Sequence, residues 1–440
     1  MKMNPRFARK KTLIALALAT ALPLAPMAAH ADEAALEQRL NDLAAQVEAL
    51  KAELAATKKK AEAVEKSQTE VAESQARTQA VLQAEQQRSA QTVFTGYGEI
   101  NYSRPIHDSG KTQADVARAV LGFEHRFDDR TKLVSELEWE HAVVSAGDQG
   151  ETAVEQLYIE RDLTPSMKGK AGLFLIPSGL LNTNHEPTAY YGVQRNFVET
   201  AIIPTTWREV GLGLSNNFEN GLTAEYGVTT GFNLNNWDFT VDSDGKNSPL
   251  GSIHQEGQLA MAKDLAVYGA LNWRGIPGTL LGGSLFTGGA AHSQPGFAAS
   301  NAKVSLYEVH GRYNPGKLDL TALFARGTIT DTAGLNLANA GSATPVPSSF
   351  QGGYVQAAYQ LWQSGDYTLS PFARYEQFNT AKTYEPMPAG LGISAGPEQK
   401  VTTVGANFRI GEGVVLKADF QRFTQNRDLD RINLGLGYSF

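Results

Sequence analysis

Six side chains with chemical capability fall within one short stretch of this 440-residue sequence: His185, Glu186, Tyr190, Tyr191, Arg195 and Glu199, with Arg208 shortly after. Their types invite a catalytic reading, but their spacing does not sustain one. His185 and Glu186 are simple neighbours, the other histidines are scattered, and no H-E-x-x-H occurs. No G-x-S-x-G elbow and no glycine-rich loop ahead of a helix is present. The absence of cysteine removes thiolate catalysis, disulfides and cysteine-held metal. A lipid hydrolase would need a serine–histidine pair at one level of adjacent strands, and none can be assembled. Neither an enzyme nor a cofactor is expected. Opposed acids and bases in a narrow throat can instead set up a transverse field that orders water and penalises apolar solutes.

A second set of charges recurs at every other position. Arg118, Glu124 and Arg126 alternate with Ala119, Leu121, Phe123 and His125, while Glu136, Glu138 and Glu140 alternate with Leu133, Leu137 and Trp139. Arg312, Arg374, Arg409, Lys417 and Asp419 follow the same rule. A period of two with one apolar and one charged face is the pattern of β-strands. A soluble sandwich with one wet face shows it too.

The elements that must position these residues begin after an export signal. Residues 1–31 carry Lys2, Arg6, Arg9, Lys10 and Lys11, then an apolar run from Thr12 to Leu22, then Ala29-His30-Ala31. That is a secretory signal peptide with an A-x-A cleavage site. The formal net charge of −7 becomes more acidic once those cations leave, which argues against nucleic-acid binding. No later run of 18 apolar residues exists to form a spanning helix. Residues 32–91 lack Gly and Pro and place Leu36, Leu43, Leu50, Val64 and Val71 on one heptad register, with Leu40, Val47, Leu54 and Leu82 on its partner. The spacing predicts a coiled coil, hence self-association. A solitary amphipathic helix would show a broader stripe.

From Val93 the helical period gives way to alternating segments of about ten residues, sixteen by count, as an even-stranded membrane barrel requires. Tight turns such as Asp128-Asp129-Arg130, Asn314-Pro315-Gly316-Lys317 and Gly411-Glu412-Gly413 alternate with long polar stretches at 103–114, 177–207, 231–263, 328–349 and 379–399. Tyr97, Tyr102, Trp139, Tyr158, Tyr313, Tyr375 and Phe378 are expected in interfacial belts. Ile432, Leu434, Leu436, Tyr438 and the terminal Phe440 look like a closing strand. The expected architecture for 92–440 is all-β: a 16-stranded antiparallel transmembrane barrel that ends its backbone exposure by closing on itself.

From Val93 to Phe440 the chain resembles the phosphate-selective porin O and P family of bacterial outer-membrane channels. The resemblance is most specific in Gly172-Leu173-Phe174-Leu175-Ile176-Pro177-Ser178-Gly179-Leu180 and in Ile203-Pro204-Thr205-Thr206-Trp207. It implies a homotrimeric barrel in the outer membrane of a Gram-negative bacterium, in contact with lipid, passing small hydrophilic solutes or anions such as phosphate by passive diffusion. It also implies that the loop 177–207 folds inward and narrows the pore. His185, Glu186, Tyr190, Tyr191, Arg195, Glu199 and Arg208 would then constrict it, with Arg126, Glu136, Glu138, Glu140, Arg312, Arg374 and Arg409 on the lumen wall. The family lines its pore with cations, whereas here 35 acids face 26 Lys+Arg beyond residue 92. The other reading is an envelope tether, in which the barrel only anchors a periplasmic coiled coil that reaches towards peptidoglycan.

Overall fold

The computed structural model describes residues 33–89, 91–145, 147–240 and 247–440. The signal peptide expected over 1–31 lies outside them. Two units are distinct, an N-terminal helix and a barrel.

Helix α1 runs Glu33–Ser89 over 57 residues, longer than the heptad seam that predicts it. Gly and Pro are absent and Ala, Leu, Glu, Gln and Lys dominate, so propensity alone favours it. Leu40, Leu43, Val47, Leu50, Leu54, Val64 and Val71 are all exposed on it.

Sixteen antiparallel strands form the second unit. They are β1 (Thr92–Pro105), β2 (Gln113–Arg126), β3 (Thr131–Glu140), β4 (Thr152–Asp162), β5 (Met167–Leu175), β6 (Arg208–Asn217), β7 (Leu222–Thr229) and β8 (Ala266–Trp273). Then come β9 (Thr279–Gly289), β10 (Lys303–Tyr313), β11 (Leu318–Ile329), β12 (Ser349–Tyr359), β13 (Tyr367–Thr383), β14 (Gln399–Ile410), β15 (Val414–Phe423) and β16 (Arg431–Ser439). After a two-residue interruption β12 resumes as Trp362–Ser364, which still pairs with β13. Each strand pairs with its sequence neighbours, and β16 pairs with β1 from Tyr97↔Ser439 to Pro105↔Arg431. The sheet is a closed ring, so no edge is left unpaired.

Turns and loops alternate as the sequence predicts. The short connections at 127–130, 163–166, 218–221, 274–278, 314–317 and 411–413 lie at one rim, and the long ones at the other. Outside, the wall is apolar: Leu121, Leu157, Leu212, Leu271, Leu285, Val309, Val355, Val404 and Leu434 are exposed. Inside, it is polar, with Arg118, Glu138, Glu155, Glu308, Arg374, Glu376, Lys417 and Asp419 buried.

Two expectations need correction. Tyr97, Tyr158 and Phe378 do not sit in an outer belt. Tyr97 is 4% exposed and hydrogen-bonded inside the barrel, Tyr158 packs edge-on to buried Phe174, and Phe378 stacks on Phe197 of the 176–207 loop. Parity decides this, because each shares a face with inward polar side chains, Glu99, Gln156 and Glu376 respectively. Tyr102, Trp139, Tyr313 and Tyr375 do face outward.

The stretch 231–263 is not simply a polar loop either. Phe232, Leu234, Trp237, Leu250 and Ile253 are buried with Trp207, Phe286, Val346 and Phe350 in a core shared by several long connections. Trp207 packs 4.5 Å from Phe286 and 5.1 Å from Phe232, centroid to centroid, and Trp237 Nε1 donates to the Thr344 carbonyl at 2.8 Å. Each such side chain contributes about 1.5–3 kcal/mol when fully buried, so these loops are packed structure.

Candidate functional site: a loop held inside the barrel

Chain geometry starts the loop at Ile176, immediately after β5, and returns it to β6 at Trp207, whose N–H donates to Asn182 Oδ1 at 2.7 Å. Asn182 Nδ2 in turn donates to the carbonyls of Ile176 and Trp207, both at 2.8 Å. One buried amide therefore staples both ends of the loop. Gly179 follows with φ of +76°, and a Cβ there would approach within 2.5 Å of Glu199 Oε1. Only glycine suits that combination of dihedral and crowding.

Glu199 sits in one turn of π-helix, Val198–Ile202, and is turned back into the loop. It accepts from the backbone N–H of Leu180 and, at 2.8 Å, of Leu181, from Asn196 Nδ2 at 2.7 Å, and from the wall hydroxyl of Tyr354 at 2.9 Å. Arg195 is likewise spent within the loop, donating to the hydroxyls of Thr205 and Thr206. Arg208, at the start of β6, pairs with Glu256 at 3.1 Å. Burial would raise the Glu256 carboxyl, but His254 at 3.0 Å and Arg208 more than offset this and hold it below the usual glutamate range.

The middle of the loop meets one arc of the inner wall, from β11 through β16 to β1. Tyr190 donates to Glu99 of β1 at 2.7 Å and its ring lies 3.5 Å below Lys417 Nζ of β15. Burial, with the Glu99 carboxylate adding, raises the Tyr190 hydroxyl well above its ordinary value, so it remains a donor. Tyr191 reaches Asp319 of β11 at 3.3 Å, and Arg374 of β13 donates to its carbonyl at 3.1 Å. Val193 N–H donates to Asp419 of β15 at 2.6 Å, and Phe197 N–H to Glu376 of β13 at 2.6 Å. Arg409 of β14 binds the Thr188 carbonyl at 2.5 Å, and Arg431 of β16 binds Gln194 at 2.6 Å. The loop thus lies within the barrel, held by inward-facing side chains.

The sequence-picked wall residues fall into separate places. Glu136 accepts from Gln156 at 2.5 Å, and Glu138 lies 3.9 Å from Arg118, near the buried Tyr97, Glu155 and His185. Glu140 is half-buried at the loop end of β3, and Arg126 is exposed at the turn end of β2. Arg312 forms a two-pronged pair with Asp319 at 2.9 and 2.5 Å, and Arg374 pairs with Glu376 at 2.8 Å. Glu186 leaves one carboxylate oxygen buried without a partner.

Two polar cavities flank the loop. One, of about 360 Å³, is lined by Glu124, Glu136, Glu160, Lys168, Lys170 and Glu225. Its charges cancel in part, through Lys168–Glu160 at 3.0 Å and Lys170–Glu225 at 3.3 Å. The other, of about 250 Å³, is lined by the wall residues Asn272, His310, Arg312, Gln356 and Arg374 and by Arg274 of the short 274–278 connection. In the ring of strands, the acids of β3 and β4 lie across from the arginines of β10 to β13.

Four residues important here escaped sequence reasoning: Glu99, Glu155, Tyr354 and Glu376. Glu155 left a trace. Val154 and Leu157 are both apolar but of opposite parity, and the register shifts between Glu136 and Leu137 opposite them. That bulge turns Glu155 inward.

No protein-family model matches the chain. An uncharacterized protein of Aquifex aeolicus is 28% identical over 357 residues, covering 78% of this chain and 79% of that one. Among solved structures, Salmonella typhi OmpF in complex with daunomycin aligns with a TM-score of 0.56 at 15% identity, over 79% of this chain and 97% of that one. The outer membrane channel DcaP of Acinetobacter baumannii aligns at 0.49 and 11% identity, over 79% and 97%. The OmpF likeness shows the fold, a closed 16-stranded antiparallel barrel.

Proposed function

We propose that this protein is an outer-membrane diffusion porin for small hydrophilic solutes, constricted by the loop 176–207. One observation carries the reading: a loop of some thirty residues is hydrogen-bonded to the inner wall at β1, β11, β13, β14, β15 and β16, and leaves polar cavities at its sides. A barrel serving only as an anchor has no use for that arrangement. The apolar exterior supports insertion in a bilayer, since only a closed sheet or a helix satisfies its backbone there.

Selectivity follows from how the loop divides the lumen. Acids on β3 and β4 oppose Arg312 and Arg374, which places a field across the constriction. Most of these charges are paired, so the pore discriminates by size and dipole more than by net charge. Anions, phosphate included, find their best route along the lobe with Arg274 and Arg312, where Arg274 has no acidic partner among the described residues.

The exposed heptad seam of α1 supports self-association through a coiled coil, because seven large apolar side chains left in water favour partner helices. We read the assembly as a homotrimer. Crosslinking of cysteines placed at Leu50 and Leu54 tests it: a trimeric band is expected, and a monomer alone would overturn it. Bilayer conductance tests the porin reading itself.

A further inference from the structure

We propose that the junction between the loop and the wall is a binding site for one divalent transition-metal cation, zinc-like in its ligand preference, held by Glu136, Glu155 and His185. One ligand atom from each of the three lies within 4.8 Å of the others. Two come from adjacent strands and the third from the loop, so a bound ion would clasp the loop to the wall.

Each group already has its other polar atom fixed by a neighbour. Tyr97 donates to Glu155 Oε2 at 2.9 Å, Gln156 donates to Glu136 Oε2 at 2.5 Å, and His185 Nδ1 faces the Asn182 carbonyl at 3.0 Å. An Nδ1–H directed at that carbonyl leaves Nε2 unprotonated, the tautomer a metal needs; Nε2 meets the Tyr97 hydroxyl at 2.6 Å, a contact that a bound ion would replace while Tyr97 keeps its bond to Glu155. Glu155 is 0% exposed, yet its Oε1 accepts no hydrogen bond and lies 3.2 Å from Nε2.

Charge completes the argument. The buried cation at hand, Arg118, is committed to Glu99 at 2.8 Å and to the His185 carbonyl at 2.6 Å, and reaches Glu138 only at 3.9 Å. Glu136 and Glu155 are left with neutral donors and His185, and one Glu186 oxygen has no partner among the described residues. One buried and two half-buried acids without a Lys or Arg partner call for a cation, and one imidazole with carboxylates is a ligand set that zinc accepts. The competing occupant is a proton on Nε2, which would turn His185 and Glu155 into an ion pair.

The test uses full-length folded protein in detergent, stripped with a chelator and titrated with ZnCl2 by calorimetry. One Zn2+ per protomer is expected, weakened roughly tenfold or more by Glu155→Gln or Glu136→Gln. His141→Gln, at an exposed pair with Asp115, should leave binding unchanged. No stoichiometric binding, or equal binding by the Glu155 and Glu136 variants, overturns the site. Should those variants not fold, the visible spectrum of Co2+ on the native protein decides: tetrahedral bands support the site, and the spectrum of hydrated Co2+ refutes it. Binding is read without conductance, so the site and the porin reading fail separately.

Discussion

Tyr190 and Glu99 are 91 positions apart in sequence yet joined by a 2.7 Å hydrogen bond between the loop and the first strand. That contact is one of a ring in which backbone groups of the loop are also satisfied by wall side chains, as at Val193–Asp419 and Phe197–Glu376. The loop's own fold and its attachment to the wall are therefore separable, and mutations can address each.

Glu199→Ala removes the acceptor for two backbone N–H groups, one amide and the Tyr354 hydroxyl. Hydrogen bonds to a charged group contribute about 1.5–3 kcal/mol each. The variant should keep its barrel but lose loop order, giving larger, noisier conductance steps and protease cleavage near Leu180. Native-like steps and protection would refute this role.

Arg312 and Asp319 oppose each other at the edge of the basic lobe, with Arg312 37% exposed and Asp319 nearly buried. Arg312→Ala should move the reversal potential in a KCl gradient towards cation preference, and Asp319→Asn towards anion preference. Shifts of the same sign would show that this pair does not set the field.

Phe440 closes the barrel: its N–H donates to the Gly96 carbonyl at 2.9 Å and Gly96 N–H donates back at 3.1 Å. A Cβ on Gly96 would come within 2.8 Å of the Phe440 ring. Both Gly96→Val and deletion of Phe440 should lower the yield of heat-modifiable, folded barrel in a refolding assay, the deletion more severely. An undiminished yield for the deletion would count against the closure account.

Glu256 gives a pH signature. Its carboxyl is held below the ordinary glutamate range, so the ion pair with Arg208 is fully present at neutral pH and disappears as pH falls through that lowered value. Proteolysis of the 230–265 connection should therefore accelerate only below the ordinary glutamate value of about 4.3. Removing His254 by alanine substitution should move that onset to higher pH; an unchanged onset would refute the tie.

Much of the fold was legible because period-two alternation and turn chemistry are local. Leu133, Leu137 and Trp139 against Glu136 and Glu138 orient β3 without any knowledge of its neighbours. The site was less legible because it depends on register and on what the loops touch. Nothing local says that Tyr97 faces inward to meet His185, that Glu155 is rotated by a bulge, or that Phe232 and Trp237 pack against Trp207. The loop charges were found by type, but Glu199 and Arg195 turned out to organise the loop itself, a role set by contacts 10–155 residues away.

The measurement that bears most directly on the account is single-channel recording of the purified protein in a planar bilayer, native against Glu199→Ala. A constricted porin gives discrete steps, grouped in threes for a trimer, with larger steps once the loop is released. Correctly folded protein that conducts in neither form would contradict the porin reading and leave a barrel that anchors a coiled coil.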